Sequence, residues 1–379
     1  MKIVLAFDSF KGSLAAEQAC AAAAEALRAE IPGVDVVIKP MADGGEGTAQ
    51  AVMAARGGAW IPVRVTGPLP VMRLDAGFVW FSDERRALVE MAAASGLTHV
   101  PPVQRNPLFT TTYGTGQLIR AALDRGAQHV WLAVGGSATT DGGVGAATAL
   151  GWQFLDEAGR PVGPGGGELE RIRRIVPPPV RLGAAVEVLC DVDNPLCGEY
   201  GAARVYGPQK GAAPAMVARL DAGLRHLGHL VHDQLGTDIL GLPGAGAAGG
   251  LAGGAVAFME AKLISGIDTI MRISGLEEAL TGADWVITGE GSFDAQSLRG
   301  KVVAGVVGLA RKKGAKAAVL AGSVNVTEAA WRALGADAAL ALRAPGMSVE
   351  EAMAQTPQLM AERVRELARW LREAGSDAE

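Results

Sequence analysis

The sequence predicts an α/β protein of two domains, in which a doubly wound parallel sheet is discontinuous in sequence and a mixed α/β domain is inserted into it. The first observation is length, because 379 residues exceed what one hydrophobic core normally holds. The second is composition, because 49% hydrophobic and 20% charged residues allow a large apolar surface to be buried. The third is the alternation of apolar runs with Ala-rich helical segments at both ends of the chain.

The N-terminal part of the chain predicts a β-α-β unit. Residues 3–7 form a continuous apolar run, as expected for a strand that is covered on both faces. An Ala-rich helix is expected to begin near Ser13, whose hydroxyl can cap free amide groups, and to end before Pro32-Gly33. A second strand is predicted at 34–39, and a parallel pair of strands requires such a helical crossover.

The middle of the chain begins with an antiparallel pattern. Strands are predicted at 61–65, 71–81 and 87–91, with turn residues between them. Farther along, 129–134 predicts a strand that leads into a Gly-rich loop and a helix, and 186–190 predicts a buried strand. This part is therefore α/β but irregular.

Alternating strands and helices return near the C-terminus. The predicted strands are 285–288, 316–321 and 338–342, and the predicted helices are about 301–313 and 357–373. The simplest chain path places the two ends of the chain in one sheet. We therefore expect residues 1–60 and 265–379 to form one domain and residues 61–264 to form the inserted domain.

Charge and cysteine content argue against several classes of protein. A net charge of −5 provides no positive field for nucleic acid. The three cysteines lack a C-x-x-C pair, which gives little support to a disulfide framework and favours the cytoplasm, and no export signal is visible.

Residues 239–259 are uncharged and long enough to cross a bilayer, but a third of them are glycine. A packed internal helix is therefore favoured over membrane insertion.

Four loops follow apolar strands and combine glycine with acidic, hydroxyl or basic residues. Ligands of α/β proteins bind at the carboxyl ends of parallel strands, where the next helix offers free N–H groups. In the first loop Asp8 can accept a proton or help to hold a cation and Lys11 can reach an anion, although a capped turn is the plain alternative. In the second loop Asp43 and Glu46 stand among three glycines, which allow a backbone to approach a ligand closely.

The other two loops lie farther along the chain. The third, 135–143, offers hydroxyls, amide groups and one carboxylate in an arrangement suited to oligophosphate, although Thr140 or Asp141 could also cap the next helix. The fourth places Glu290 and Lys301 beside glycines near a helix start. Spacing alone does not prove that these side chains converge.

Two segments could bind metal. Asp191 ends a predicted buried strand, and its oxygen ligands suit Mg²⁺, although Asp-Asn-Pro is also common in surface turns. His226, His229 and His232 recur at every third position of a predicted helix. Their directions diverge at that spacing, so a solvated helix face is favoured over a zinc site.

Six segments are spread over nearly the whole chain: FDSFKG at 7–12, MADGGEGT at 41–48, GGSATTDGG at 135–143, GPQKG at 207–211, GAGAAG at 244–249 and GEG at 289–291. In this order and at these distances they resemble the bacterial type I glycerate kinases. The resemblance implies ATP-dependent phosphorylation of D-glycerate and two α/β domains, one of them flavodoxin-like and split in sequence. It favours 2-phosphoglycerate over 3-phosphoglycerate as the product.

The chain departs from the family pattern in two places. Ser292-Phe293 stands where the family usually has Arg-Ile, and Val303 stands where a proline is common. If that arginine binds an anion, another cation must substitute for it. The candidates are Lys11, Lys210 and Lys301.

Phosphoryl transfer needs a clamp for the nucleotide phosphates, Mg²⁺, an anchor for the acceptor and a carboxylate near the attacking hydroxyl. We expect Asp191 to hold Mg²⁺, Lys11 to bind the glycerate carboxylate and Asp43 to accept the proton, a role that Asp8 could exchange with it. The residues expected to bind ATP are Gly135, Gly136, Ser137, Thr139, Thr140 and Asp141. The residues expected to bind the substrate are Ser9, Lys11, Gly44, Gly45, Glu46, Glu290 and Lys301.

Two other functions remain open at this point. An NAD-dependent hydroxy acid dehydrogenase could use the G-x-G-x-x-G match at 244–249, but no strand is predicted before it. A non-catalytic, nucleotide-binding regulatory protein could carry the same loops, but the carboxylates in those loops argue against it. A P-loop scaffold is excluded, because Gly300-Lys301 is followed by Val302.

Overall fold

The structure, a computed structural model, describes residues 1–45, 47–298 and 301–376. The strands are β1 (Lys2–Phe7), β2 (Asp35–Ile38), β3 (Ala59–Thr66), β4 (Arg73–Phe81), β5 (Arg86–Glu90), β6 (His129–Ala133), β7 (Gln153–Leu155), β8 (Arg174–Val176), β9 (Ala185–Leu189), β10 (Lys262–Ile264), β11 (Trp285–Gly289), β12 (Ser292–Phe293), β13 (Lys316–Ala321), β14 (Ser323–Val324) and β15 (Ala338–Ala341). The α-helices are α1 (Ala16–Glu30), α2 (Thr48–Arg56), α3 (Ala92–Ser95), α4 (Tyr113–Asp124), α5 (Val144–Ala149), α6 (Ala202–Tyr206), α7 (Pro214–Leu235), α8 (Leu251–Met259), α9 (Gly266–Ser274), α10 (Leu276–Leu280), α11 (Val302–Lys313), α12 (Glu328–Leu334), α13 (Val349–Ala354) and α14 (Thr356–Ser376).

The described residues form two compact units. The first unit takes its residues from 1–43, 50–57 and 267–379, and the second from 44–49 and 58–266. We propose that the first unit is the flavodoxin-like domain and that the second is the inserted domain, with the short segment 44–49 contributed to the inserted domain.

The first unit is built on a parallel sheet of five strands in the order β15-β13-β11-β1-β2. Numbered within the unit, this is the flavodoxin-like order 2-1-3-4-5. Both faces of β1 are buried, as its continuous apolar run predicts. Ile3, Leu5 and Phe7 pack in the core that contains α1 and α14, whereas Val4 and Ala6 pack in the core that contains α9, α10 and α11. The predicted fold class is confirmed.

The second unit contains a mixed sheet of six strands in the order β10-β9-β6-β5-β4-β3. The strands β3, β4 and β5 pair antiparallel, as their sequence pattern predicts, and β5, β6, β9 and β10 pair parallel. The uncharged stretch 239–259 contributes only the short helix α8, which is buried. Among the described residues, none of the helices combines the length and apolar character needed to cross a membrane.

The start of α1 differs from the sequence prediction. The helix begins at Ala16 rather than near Ser13, and the Ser13 hydroxyl donates to the Phe10 carbonyl at 2.9 Å instead of capping the helix. A tight turn forms first, because the Phe10 N–H donates to the Leu14 carbonyl at 2.8 Å and the Leu14 N–H donates back at 3.0 Å. This turn holds the segment between Asp8 and Ser13 at the carboxyl end of β1.

The G-x-G-x-x-G match at 244–249 does not have the context of a dinucleotide site. The described residues 236–243 contain no strand, and the match runs into a 3₁₀ turn in which Ala248 and Gly249 have positive φ angles of 55° and 67°. The strand-to-helix turn that carries a pyrophosphate is therefore missing at this place. This removes the main support for the dehydrogenase alternative.

Candidate active site

The carboxyl ends of β1, β11, β13 and β15 bring four chain segments side by side. Beyond the strands, the ladder continues as hydrogen bonds from the Asp8 N–H to the Gly289 carbonyl (2.9 Å), from the Gly322 N–H to the Glu290 carbonyl (3.0 Å) and from the Arg343 N–H to the Gly322 carbonyl (3.2 Å). Parallel strands end on the same side of the sheet, so residues distant in sequence become neighbours there. The predicted acid of the first loop and that of the fourth loop therefore lie together.

A cavity of about 480 Å³ opens at these strand ends, within the first unit. Its walls combine three kinds of side chain. Acids and cations are Asp8, Glu290, Asp294, Lys11, Lys301 and Arg343; neutral polar groups include Ser9, Ser292, Ser323 and Asn325; apolar groups include Phe10, Leu342, Val349, Met353 and Leu359. A pocket with a few convergent polar groups on an apolar wall is the usual form of a small-molecule site.

Burial raises the pKa of two carboxyls in this cavity. The Asp8 side chain is 5% exposed, and burial raises its pKa well above the usual value, with Asp43 and Glu290 adding to the rise. The Ser9 N–H donates to Asp8 Oδ1 at 2.6 Å and, like Lys11, acts in the opposite direction. A carboxyl whose pKa is raised holds a proton more readily, as a group that accepts one from a substrate must.

Glu290 is the second such carboxyl. It is 9% exposed, and burial raises its pKa, while Ser297 and Lys301 lower it and Asp43 raises it. Its Oε1 is buried and has no hydrogen-bond partner among the described residues. A buried polar atom without a partner is costly in a folded protein, so this oxygen is open to a group from outside the described residues.

Most residues predicted for the acceptor side thus meet in the first unit. Asp43 ends this unit's N-terminal segment and lies close enough to Asp8 and Glu290 to raise the pKa of both. Ser9, Lys11 and Lys301 line the same cavity. Glu46 was also predicted to bind the substrate, but it lies outside the described residues.

Gly44 and Gly45 belong to the second unit, where they contact the loop after β6. The Gly135 N–H donates to the Gly44 carbonyl at 3.1 Å. A Cβ atom at Gly135 would lie only 2.3 Å from the Cα of Gly45, so the close approach of the two loops requires glycine there. Glu90, which the sequence analysis missed, fixes the same segment by accepting hydrogen bonds from the N–H groups of Gly47 (3.0 Å) and Ala49 (3.1 Å).

Asp141 organises the loop 135–143 from within. Its carboxylate accepts hydrogen bonds from the N–H and the hydroxyl of Thr112 (2.8 and 3.0 Å) and from the N–H groups of Gly143 and Gly145 (both 3.2 Å). Burial raises its pKa, and these hydrogen bonds oppose the rise. The Asp141 side chain is therefore engaged by the protein, and it positions the loop relative to the start of α4.

Lys210 supports the other end of this loop. It is 2% exposed, and its Nζ donates to Ser137 Oγ at 2.8 Å and to the Thr139 carbonyl at 2.6 Å. Burial lowers the pKa of Lys210 to about 7. The hydroxyls of Thr139 and Thr140 are buried without a hydrogen-bond partner in the described part of the chain, so this loop also carries polar groups that a ligand could satisfy.

The predicted metal residue Asp191 lies after β9 in the second unit. Its Oδ1 accepts hydrogen bonds from the Ser265 hydroxyl at 3.0 Å and from the Gly266 N–H at 2.9 Å. The described residues contain no cluster of three or more His, Cys, Asp or Glu side chains that could hold a metal. Mg²⁺ commonly uses one or two carboxylates together with substrate phosphates and water, and a single aspartate fits that mode of binding.

His226 of α7 contacts the segment that precedes β8. The Nε2 atom of His226 lies 2.7 Å from the Ile172 carbonyl, and it also contacts Arg173 at 3.4 Å. His229 and His232 follow on the same helix.

Comparison with known proteins gives the family. A model described as "Glycerate kinase family" matches residues 3–372. The chain belongs to the glycerate kinase family, and it is a kinase. It is 45% identical to a glycerate kinase of Halalkalibacterium halodurans over 97% of each chain, and 44% identical to a glycerate 2-kinase of Escherichia coli over 86% of each. A crystal structure assigned to glycerate kinase 2 of Salmonella typhimurium LT2 superposes with a TM-score of 0.83 at 41% identity, covering 99% of both chains.

Arg343 and Asn325 were not predicted from the sequence, although both line the cavity of this kinase. Arg343 is the second residue after β15, but the segment after that strand lacks the glycine-rich pattern that marked the other loops. Asn325 follows β14, a strand of two residues that alternation does not detect. An inspection of every polar residue after a strand would have found Arg343.

Proposed function

We propose that this protein is a type I glycerate kinase that transfers the γ-phosphoryl group of ATP to D-glycerate. The observation that carries the proposal is the cavity of the first unit, where buried carboxyls with raised pKa values lie near Lys11, Lys301 and Arg343. A hydroxy acid needs both features, because its hydroxyl must lose a proton and its carboxylate must be neutralised. Membership of the glycerate kinase family supports the same substrate.

In the proposed acceptor site, Asp43 or Asp8 accepts the proton of the attacking hydroxyl. The three carboxyls of Asp8, Asp43 and Glu290 repel one another as anions, so their cluster favours uptake of a proton. Lys11 opposes this effect at Asp8, and Lys301 opposes it at Glu290. Ser9 fixes the orientation of Asp8 through the hydrogen bond from its N–H.

In the proposed donor site, the loop 135–141 binds the phosphates of ATP. Its amide groups and the buried hydroxyls of Thr139 and Thr140 are the donors. Asp141 and Lys210 act through the loop, because their side chains are bonded to it rather than exposed. Gly44 and Gly45 support the loop from the neighbouring segment, and Glu46 remains assigned to the substrate by its place in the sequence.

Mg²⁺ would be held by Asp191 together with phosphate oxygens of the nucleotide. When bound, the ion spreads the negative charge that develops on the transferred group. Asp191 is oriented for such a role by Ser265 and Gly266, which fix one of its oxygens.

Two finer features complete the proposal. The relative named glycerate 2-kinase supports 2-phosphoglycerate as the product. The free cysteines Cys20, Cys190 and Cys197 suit a reducing compartment, and we propose that the enzyme works in the cytoplasm on small molecules, without nucleic acid or membrane partners.

The test is a coupled assay of ADP release with ATP, Mg²⁺ and D-glycerate, followed by ³¹P NMR of the product. We expect ADP and 2-phosphoglycerate in equal amounts, and no ADP above background when D-glycerate is omitted. Formation of 3-phosphoglycerate would correct the product alone. An absence of ADP release from folded protein, or NADH formation from glycerate and NAD⁺ without ATP, would contradict the proposed function.

A further inference from the structure

Arg343 is a cationic side chain of the first-unit cavity that is not paired with the carboxyls described around it. Lys11 lowers the pKa of Asp8 and Lys301 lowers that of Glu290, so the charge of each lysine acts on a neighbouring acid. Arg343 lines the same cavity but is not among the groups that shift either pKa. Within the described ranges 1–45, 47–298 and 301–376, its guanidinium makes neither a hydrogen bond nor an ion pair.

The main chain fixes Arg343 near the reacting end of the cavity. Its N–H donates to the Gly322 carbonyl at 3.2 Å, and the Gly322 N–H in turn donates to the Glu290 carbonyl at 3.0 Å. Arg343 is therefore separated from Glu290 by a single strand end of the sheet. Its place is set by the sheet and not by a long mobile loop, which favours a precise binding geometry.

Neutral hydrogen-bonding groups line the cavity along with Arg343. Asn325 Nδ2 donates to Ser292 Oγ and to Ser323 Oγ, both at 3.1 Å, and Ser323 Oγ donates to Ser292 Oγ at 3.4 Å. The Ser292 hydroxyl is therefore part of a polar group formed with Ser323 and Asn325. All three side chains line the cavity.

The charges of the cavity orient a small hydroxy acid. The anionic end of the ligand is repelled by the cluster of Asp8, Asp43 and Glu290, where only a hydroxyl can approach at low cost. A guanidinium offers two parallel N–H groups that match a carboxylate in a bidentate pair. The ligand is thus expected to place its hydroxyl toward the acids and its carboxylate toward the arginine.

We infer that Arg343 binds the carboxylate of the acceptor and makes the site specific for hydroxy acids over neutral polyols. The inference rests on the proposed function, which it deepens by naming the residue that recognises the acid group. It assigns to Arg343 the carboxylate contact that the sequence predicted for Lys11, which lines the same cavity. Arg343 touches the substrate and not the transferred phosphoryl group, so it is a specificity residue.

The experiment compares steady-state kinetics of the wild type with Arg343→Met, Arg343→Lys and Arg365→Met. Arg365 is an exposed arginine of the same unit that does not line the cavity, so it is the matched control. Arg343→Met is expected to raise KM for D-glycerate about 10²-fold, since a charge-assisted pair is lost, with kcat and KM for ATP changed less than about threefold. Arg343→Lys is expected to recover only part of the lost affinity for D-glycerate, roughly a tenth or more. A single ammonium group then replaces the two parallel N–H donors of the guanidinium.

The possible outcomes separate the inference from the function. If the wild type phosphorylates D-glycerate and both Arg343 variants keep its KM within about twofold, the inference fails and the proposed function stands. If kcat falls while KM for D-glycerate is unchanged, Arg343 does not anchor the carboxylate and the inference fails as well. If the wild type releases no ADP, the proposed function fails, and the inference fails because it rests on that function. Should Arg343→Met not fold, the rise in KM of the folded Arg343→Lys variant decides.

Discussion

Asp8 is buried beside Asp43 and Glu290, and each of these carboxyls raises its pKa further. A folded-state pKa above the unfolded value means that the folded protein holds a proton that the unfolded chain releases. The folded state therefore loses stability as the pH rises from the unfolded pKa of Asp8 through its folded pKa. Above both values the loss is complete, so the buried Asp8 destabilises the fold as the pH rises.

We therefore predict that Asp8→Asn stabilises the protein while it impairs catalysis. The amide keeps an oxygen that can accept the hydrogen bond from the Ser9 N–H, and it removes the buried charge. The thermal unfolding midpoint at pH 8 is expected to rise by about 2–4 °C, and the difference from the wild type should shrink as the pH falls toward 4. A lower midpoint at pH 8 would show that Asp8 stabilises the fold in its ionised form.

Asp43→Asn is the companion variant that identifies the base. If Asp43 accepts the proton, kcat is expected to fall by roughly 10² or more, with a smaller change in KM. If Asp8 holds that role instead, the larger fall in kcat appears in Asp8→Asn. An unchanged kcat in Asp43→Asn would remove Asp43 from the role of base.

Burial of Lys210 makes the stability of the folded state depend on pH in the opposite direction. Its pKa falls from 10.5 to about 7 on burial, so between these values the unfolded chain binds a proton that the folded protein lacks. The stability of the wild type is expected to rise as the pH increases from about 7 toward 10, to the extent that this group dominates. Below pH 7 its unfavourable contribution is constant.

Lys210→Met removes that titration and also the two hydrogen bonds to the loop 135–143. We predict a flatter dependence of the unfolding midpoint on pH between 7 and 10, measured in parallel with the wild type. Because Lys210 supports Ser137 and Thr139, KM for ATP is expected to rise by about tenfold, with KM for D-glycerate nearly unchanged. If the unfolding midpoint of the variant kept the wild-type dependence on pH and its KM for ATP were unchanged, Lys210 would neither titrate on folding nor support the ATP-binding loop.

At the scale of elements, Asp141 joins the loop 135–143 to the start of α4 and to α5. Removal of this side chain leaves several buried donors without acceptors. We predict that Asp141→Ala lowers the free energy of unfolding by about 3 kcal/mol or more and weakens ATP binding with it. Thr148→Val is the control in α5, because it loses one hydrogen bond to the Val144 carbonyl and should change stability by less than about 1 kcal/mol. If chemical denaturation showed that Asp141→Ala and Thr148→Val lower the free energy of unfolding equally, Asp141 would not have this stabilising role.

The strand β1 was predicted because its apolar residues are continuous, and burial on both faces is the physical cause of that pattern. The predicted start of α1 was wrong, because the hydroxyl of a serine before a helix has more than one possible hydrogen-bond partner. The turn between Phe10 and Leu14 takes the Ser13 hydroxyl, and the cap position falls on Ala15.

At the scale of the whole molecule, the two-part organisation was predictable because the chain begins and ends with the same alternation of strands and helices. The pattern placed residues 44–49 with the N-terminal segment, whereas hydrogen bonds from the N–H groups of Gly47 and Ala49 to Glu90 tie this stretch to the second unit. Such ties join residues far apart in sequence, and no local pattern announces them. Arg343 was missed for a different reason, because the segment after β15 lacks the glycine-rich pattern that marked the other loops.

The central claim is that the acceptor binds in the cavity of the first unit, and a crystal structure of the protein with D-glycerate, ADP and Mg²⁺ tests it most directly. We predict that glycerate lies in this cavity with a hydroxyl within hydrogen-bond distance of Asp8 or Asp43 and its carboxylate on Arg343. Glycerate bound away from Asp8, Glu290 and Arg343 would contradict the account.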